Sequence, residues 1–240
     1  MNDLPTFYGT EKHPIIFKGW SIRRILAGEK THTRRIVKPQ PPDDVRSVMW
    51  DDMGGDWIGT VGSRNDPILW NEKCPYGKPG DQLWVKEAFR LPERHDDQYT
   101  PKEYVSRSGY TQGIPGYARY EADEKRVFEV AGNPGAPSFK WGRLRPAIHM
   151  PRELCRLRLR VEDVRVERLH EISNEEAVAE GVRGFWCDEI QGYDIPDVAV
   201  VDGPPRRAFA YVWEDIHGND AWEKNPFVWV VEFSRINNDN

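Results

Sequence analysis

The stretch Arg156-Leu157-Arg158-Leu159-Arg160-Val161-Glu162-Asp163-Val164-Arg165-Val166-Glu167-Arg168-Leu169 is where the fold can first be read. Leu157, Leu159 and Val161 alternate with Arg156, Arg158 and Arg160, the period of two of a strand with one apolar face and one wet, basic face. The charged pair Glu162-Asp163 reads as a turn, so Leu157 to Leu169 is expected to be a hairpin. Just beyond it, Ser173-Asn174-Glu175-Glu176 has the pattern of a capping box, with Ile172 and Ala177 spaced for a hydrophobic staple. That predicts a short helix to about Glu180, stopped by Gly181. Further on, Phe209, Val212, Trp213 and Ile216 mark an amphipathic helix with Gly218 past its end. Phe227, Trp229, Val231 and Phe233 then alternate as one face of a closing strand.

Toward the N-terminus the same signals continue. Lys78-Pro79-Gly80-Asp81 has proline and glycine placed for a tight turn into a strand from Leu83 to Phe89. Pro14 to Lys18 reads as a strand. Ser21 is expected to cap a helix carrying Ile22, Ile25 and Leu26 and closed by Gly28, before a β-rich segment from Thr31 to Val37. Three stretches lack such periodicity: 38–72 with Trp50, Trp57 and Trp70, 90–140 with one strand near Tyr117 to Tyr120, and 183–203. The expectation is one α+β domain over 1–240, a small closed or half-closed β-barrel with interposed short helices. Its core would be 14–37, 78–89, 150–182 and 205–235, with the three stretches as long insertions.

Of the 240 residues 38% are hydrophobic, enough for a real core. No apolar run reaches the roughly 18 to 20 residues of a membrane helix, and Met1 to Gly9 lacks a basic, then hydrophobic, leader. Cys74, Cys155 and Cys187 are scattered and contain no C-x-x-C pair, which argues against a disulfide framework or structural zinc and for a cytoplasmic location. The histidines lack metal-ligand spacing, and neither a metal nor a cofactor is expected. No phosphate-binding glycine motif, zinc-protease motif or nucleophile elbow occurs.

The net charge is −5 from 34 basic and 39 acidic residues, yet the positive charge is segregated. Lys18 to Lys38 holds seven basic residues against the single acid Glu29, and Gly142 to His170 holds eight arginines against four acids. Such segregation is expected of an anion-binding cleft on an acidic protein, and equally of two solvated faces.

The segment Ile25-Leu26-Ala27-Gly28-Glu29-Lys30-Thr31-His32-Thr33-Arg34-Arg35 resembles the G-x-K-x-x-T-x-R signature of the activating signal cointegrator homology (ASCH) family, PUA-like barrels linked to RNA. Lys78 to Val85, Ile172 to Val182 and Asn225 to Phe233 are similar to that family's turn and strand, acidic helix and closing strand, in the same order. With Pro146-Ala147-Ile148-His149-Met150-Pro151-Arg152, the combination resembles the larger ASCH proteins of phages and prophages. The resemblance covers about half of the chain and leaves the insertions out.

It implies a PUA-like fold whose basic cleft receives RNA or a modified nucleoside or nucleotide. It also implies, for some members, an amidohydrolase that deacylates N4-acetylcytidine, with Lys30 activating Thr33 beside Glu180; other members are ribonucleases. Arg34, Arg35, Arg145, His149 and Arg152 are the candidate substrate-binding residues. Chemically, a threonine hydroxyl needs a base, and a lysine serves only if its pKa is drawn toward neutrality, as neighbouring arginines would do. The plainer readings are a surface lysine in a turn, a β-forming threonine, a solvated last-turn glutamate and a loop histidine satisfied by backbone. Trp84, Trp213 and Trp229 fit core positions, whereas Trp50, Trp57 and Trp141 are the candidates for base stacking. Two other functions stay open, a non-catalytic modified-base reader and a protein-interaction module.

Overall fold

A computed structural model describes residues 11–63, 65–91, 119–123, 141–187, 190–195 and 199–236. The fold is mixed and strand-dominated, with few helices. The chain divides into two compact units: one of Met1–His13, Gly28–Gln82 and Arg160–Ser234, the other of Pro14–Ala27, Leu83–Leu159 and Arg235–Asn240.

β1 (Lys12–Ile16), β6 (Gln82–Lys86), β9 (Arg158–Arg168), β13 (Phe227–Arg235) and β2 (His32–Ile36) are neighbours in that order. Gln82 N–H donates to the Glu11 carbonyl and Val161 N–H to the Asp81 carbonyl, which sets the first three strands side by side. β13 and β2 are antiparallel, pairing Val231 with Thr33, Trp229 with Arg35, Val230 with Arg34 and Glu232 with His32. The order is linear and ends at β1 and β2, so the described sheets are not closed into a barrel.

The expected hairpin is one unbroken strand, β9, eleven residues long. Glu162-Asp163 offers neither a glycine nor an asparagine for the positive φ of a tight hairpin, and the chain runs straight on. The apolar positions switch from odd (Leu159, Val161) to even (Val164) because the two halves of the strand bury opposite faces. In β13 Phe227 to Val231 are all buried, so this strand is covered on both faces, not one.

Two of the expected insertions are sheets. Residues 38–72 contain the antiparallel meander β3 (Ser47–Asp51), β4 (Asp56–Thr60) and β5 (Trp70–Glu72). Residues 183–203 contain the meander β10 (Arg183–Cys187), β11 (Ile190–Ile195) and β12 (Ala199–Asp202). Most of 90–140, including Tyr117, lies outside the described residues.

The helix α2 (Asn174–Ala179) has the expected capping box: Ser173 accepts from Glu176 N–H, and the Glu176 carboxylate accepts from Ser173 N–H. It ends at Glu180, and Gly181 follows at φ 99°, a left-handed conformation that disfavours any side chain. The helix α3 (Pro205–His217) starts on proline and stops before Gly218 at φ 93°. The turn before β6 is pinned by Asp81, whose carboxylate accepts from the N–H groups of Glu11 and Lys78. A Cβ on Gly77 would come within 2.7 Å of that carboxylate, so the tight approach requires glycine.

In the second unit α1 (Gly19–Leu26) begins two residues before its expected cap, and Ser21 is buried inside it. Burying the indole of Trp20 outweighs a serine cap worth about 1 kcal/mol. Phe89, Leu91, Tyr120, Met150, Leu154 and Cys155 form a core cluster, with β7 (Phe89–Arg90) paired to β8 (Arg119–Tyr120). The buried Glu87 takes two 2.8 Å hydrogen bonds from Arg156, whose guanidinium lies 4.1 Å from the Tyr120 ring centroid.

Candidate functional site at Lys30 and Glu180

Lys30 stands between α1 and β2, just past Gly28, whose φ of 76° turns the chain out of the helix. Thr31 N–H donates to the Ala179 carbonyl at 2.8 Å, and this strap holds the start of β2 against the end of α2. The Lys30 amine consequently meets Glu180. It donates to Glu180 Oε2 and to the Glu180 carbonyl oxygen, each at 2.6 Å, with the two side chains only 3% and 4% exposed. The end of a helix is an unfavourable place for a carboxylate, and here the ammonium offsets both the carboxylate and the helix carbonyl.

Burial draws the Lys30 pKa below its ordinary value, Glu180 opposes that shift, and Arg35 and Arg34 add to it. Arg34 shares its face of the β2–β13 ladder with His32, while Thr33 and Arg35 lie on the other face with Val231 and Trp229. The amine therefore sits at the end of β2 where charges from both faces reach it. Thr33 is buried, and two hydrogen bonds of Lys30 end on Glu180.

The Arg34 guanidinium is fully enclosed. Its Nη2 lies 2.6 Å from Glu167 Oε1 and 2.9 Å from Glu176 Oε2, and its Nη1 lies 3.5 Å from Glu180 Oε1. Glu180 Oε1 is buried with no hydrogen-bond donor among the described residues. That oxygen meets Arg34 Nη1 as an ion pair and takes no hydrogen bond from the described residues, and it stands beside a lysine of lowered pKa.

Arg165 extends the network outward. It bonds Glu176, Glu167 Oε2 at 3.1 Å and Glu232 Oε1 at 2.6 Å, and Glu232 in turn lies 3.1 Å from His32 Nε2. Glu167, Glu176, Arg165, Glu232 and His32 were not among the residues expected at a site. The signal was present in part, since Arg165 and Glu167 share one face of β9 and Glu176 is the capping-box acid.

The remaining candidates belong to the second unit. Arg145 is half-buried and its backbone bridges to Phe89, while His149 and Arg152 are exposed on short 3₁₀ turns. Partial burial pushes the Cys74 thiol up to about 12, which leaves it inert as a nucleophile. Among the described residues no cluster of metal-ligating side chains occurs, and no helix is long and apolar enough to cross a membrane.

No family model, no curated protein and no solved structure matches this chain.

Proposed function

We propose that this protein is an ASCH-type, PUA-like domain that takes RNA or a modified nucleoside, and that Lys30 and Glu180 form its reactive centre for removing an acyl group from an exocyclic base amine. The observation that carries the reading is the buried Lys30–Glu180 pair, whose second carboxylate oxygen takes no hydrogen bond from the described residues. In the reaction, the Thr33 hydroxyl adds to the acyl carbonyl while neutral Lys30 takes its proton. The C–N bond then breaks, and Lys30 returns the proton to the departing exocyclic nitrogen. Water hydrolyses the threonine ester and releases the acid. Glu180 Oε1 accepts an N–H of the substrate and holds that nitrogen in place.

The test is to incubate the purified protein with a panel of N-acylated and other modified nucleosides and follow them by mass spectrometry. Deacylation by the wild type is expected, with loss of turnover in Lys30→Arg, because a guanidinium cannot give up its proton in this range. Lys30→Arg turning over at full rate would exclude the lysine as base. A non-catalytic reader of modified bases is the second reading, supported by the two hydrogen bonds that the Lys30 amine gives Glu180. It requires saturable binding of a panel member that is recovered unchanged.

A further inference from the structure

Trp50 and Trp57 face each other directly across β3 and β4, with ring centroids 5.7 Å apart and planes at 64°. They end a run of indoles that begins in the core. Trp70 lies 6.2 Å from Trp229, and Trp229 lies 6.0 Å from Trp57. Trp229 and Trp70 are buried, whereas Trp50 and Trp57 are only half-buried. Both half-buried rings border a concave corner, where an aromatic face can be covered by a flat ligand.

The corner is the wall of a cavity of about 350 Å³, floored by Pro79 and Val164, with Lys78 and Asp163 beside it. That volume is at the small end of ligand sites, roughly 300 to 1,000 Å³, and suits one ring system with one substituent. A second cavity of about 300 Å³ shares Trp50, Gly77 and Lys78 with it. Asp163 is half-exposed, and its carboxylate, a group that offers acceptors, lies 3.6 Å from Arg165 Nη1. Aromatic walls ask for a flat ring, the carboxylate asks for an N–H on that ring's edge, and Lys78 brings an exposed cationic side chain to the lining.

We propose that the Trp50–Trp57 cavity binds one amino-bearing nucleobase of a phosphate-carrying nucleotide, stacked on an indole, with Asp163 accepting from the exocyclic amine and Lys78 meeting the phosphate. Adenine, cytosine and guanine carry such an amine and uracil does not. This goes beyond the reading at Lys30, because neither Lys30 nor Glu180 lines the cavity.

Calorimetric titration of the whole protein with CMP, UMP, cytidine and a single-stranded cytidine pentanucleotide tests it. CMP is expected to bind more tightly than UMP and than cytidine. Trp50→Leu should weaken CMP about tenfold or more, the worth of one stacked base, while Trp50→Phe should lose less than about threefold. Asp163→Asn should erase the preference for CMP over UMP, and Lys78→Ala should weaken CMP without weakening cytidine. The deacylation panel is run on the same wild-type protein and read separately: CMP binding without deacylation counts against the reading at Lys30 and leaves this site standing, and deacylation without CMP binding does the reverse. Much tighter pentanucleotide binding would identify a strand as the source of the base, and equal binding a free nucleotide. The proposal is overturned if neither CMP nor the pentanucleotide binds, or if folded Trp50→Leu binds CMP like the wild type. Should Trp50→Leu not fold, unchanged CMP-over-UMP preference in Asp163→Asn overturns it instead.

Discussion

Lys30 and Glu180 show how far a single pair can depart from its residue types' habits. Lysine and glutamate are almost never fully enclosed unless paired, and removing one partner of a buried pair costs about 3–5 kcal/mol because the other charge is stranded. Glu180→Gln is therefore expected to destabilise by about 3 kcal/mol, and Lys30→Met combined with Glu180→Gln should recover part of that loss. The pH dependence has a definite sign. Burial holds Lys30 below its ordinary 10.5 in the folded chain, so the unfolded chain binds that proton more tightly. Its contribution to stability is complete only above 10.5 and is lost as pH falls through the folded-state pKa. Urea midpoints measured from neutral pH to about pH 10 should show the wild type gaining on the double variant as pH rises. A difference independent of pH would mean that Lys30 titrates normally in the folded chain.

Elements whose signals are local were legible in the sequence, and those decided by distant partners were not. The capping box at Ser173, the stop at Gly181, the helix ending before Gly218 and the turn at Lys78 to Asp81 each depend on a few adjacent residues, and each is present in the fold. The continuity of β9 and the double burial of β13 depend on what lies on either side, which no window of one strand contains. The meander of β3, β4 and β5 escaped for a related reason: Pro39, Pro41, Pro42 and the paired glycines 54 and 55 dominate the composition, although Asp51 to Asp56 is an ordinary hairpin tip. At the site, the signature pointed to Lys30, Thr33 and Glu180, but nothing in hydropathy says that Arg34 will be enclosed by Glu167, Glu176 and Glu180. The short helix α2 positions Glu180, so its ends matter to the site. Ser173→Ala should cost about 1 kcal/mol through the lost cap. Gly181→Ala should cost at least as much, because alanine is strained at φ 99°. Chemical denaturation of both variants measures this, and an unchanged midpoint for Gly181→Ala would mean that the chain leaves the helix by another path.

Across the whole molecule, the charge that looked like a binding face in the sequence is partly spent inside. Of the seven basic residues from Lys18 to Lys38, only Lys18 and Lys38 are exposed, while Arg24, Lys30 and Arg34 are buried. An enclosed guanidinium already neutralised by carboxylates releases no counterion when a polyanion binds, so it cannot contribute to salt dependence. Arg143, Arg152 and Arg160 are exposed. The two kinds of arginine should separate in one experiment, the affinity for a single-stranded oligonucleotide measured over a range of salt. Each lysine or arginine that meets a phosphate adds about 0.7 to the slope of log affinity against log salt. Arg152→Ala is expected to reduce the slope by about that amount at unchanged stability. Arg34→Gln is expected to leave the slope alone and to lower the unfolding midpoint, because Glu167, Glu176 and Glu180 lose their shared cation. A slope lowered by Arg34→Gln in a protein of undiminished stability would show that this guanidinium leaves its three carboxylates to meet the ligand.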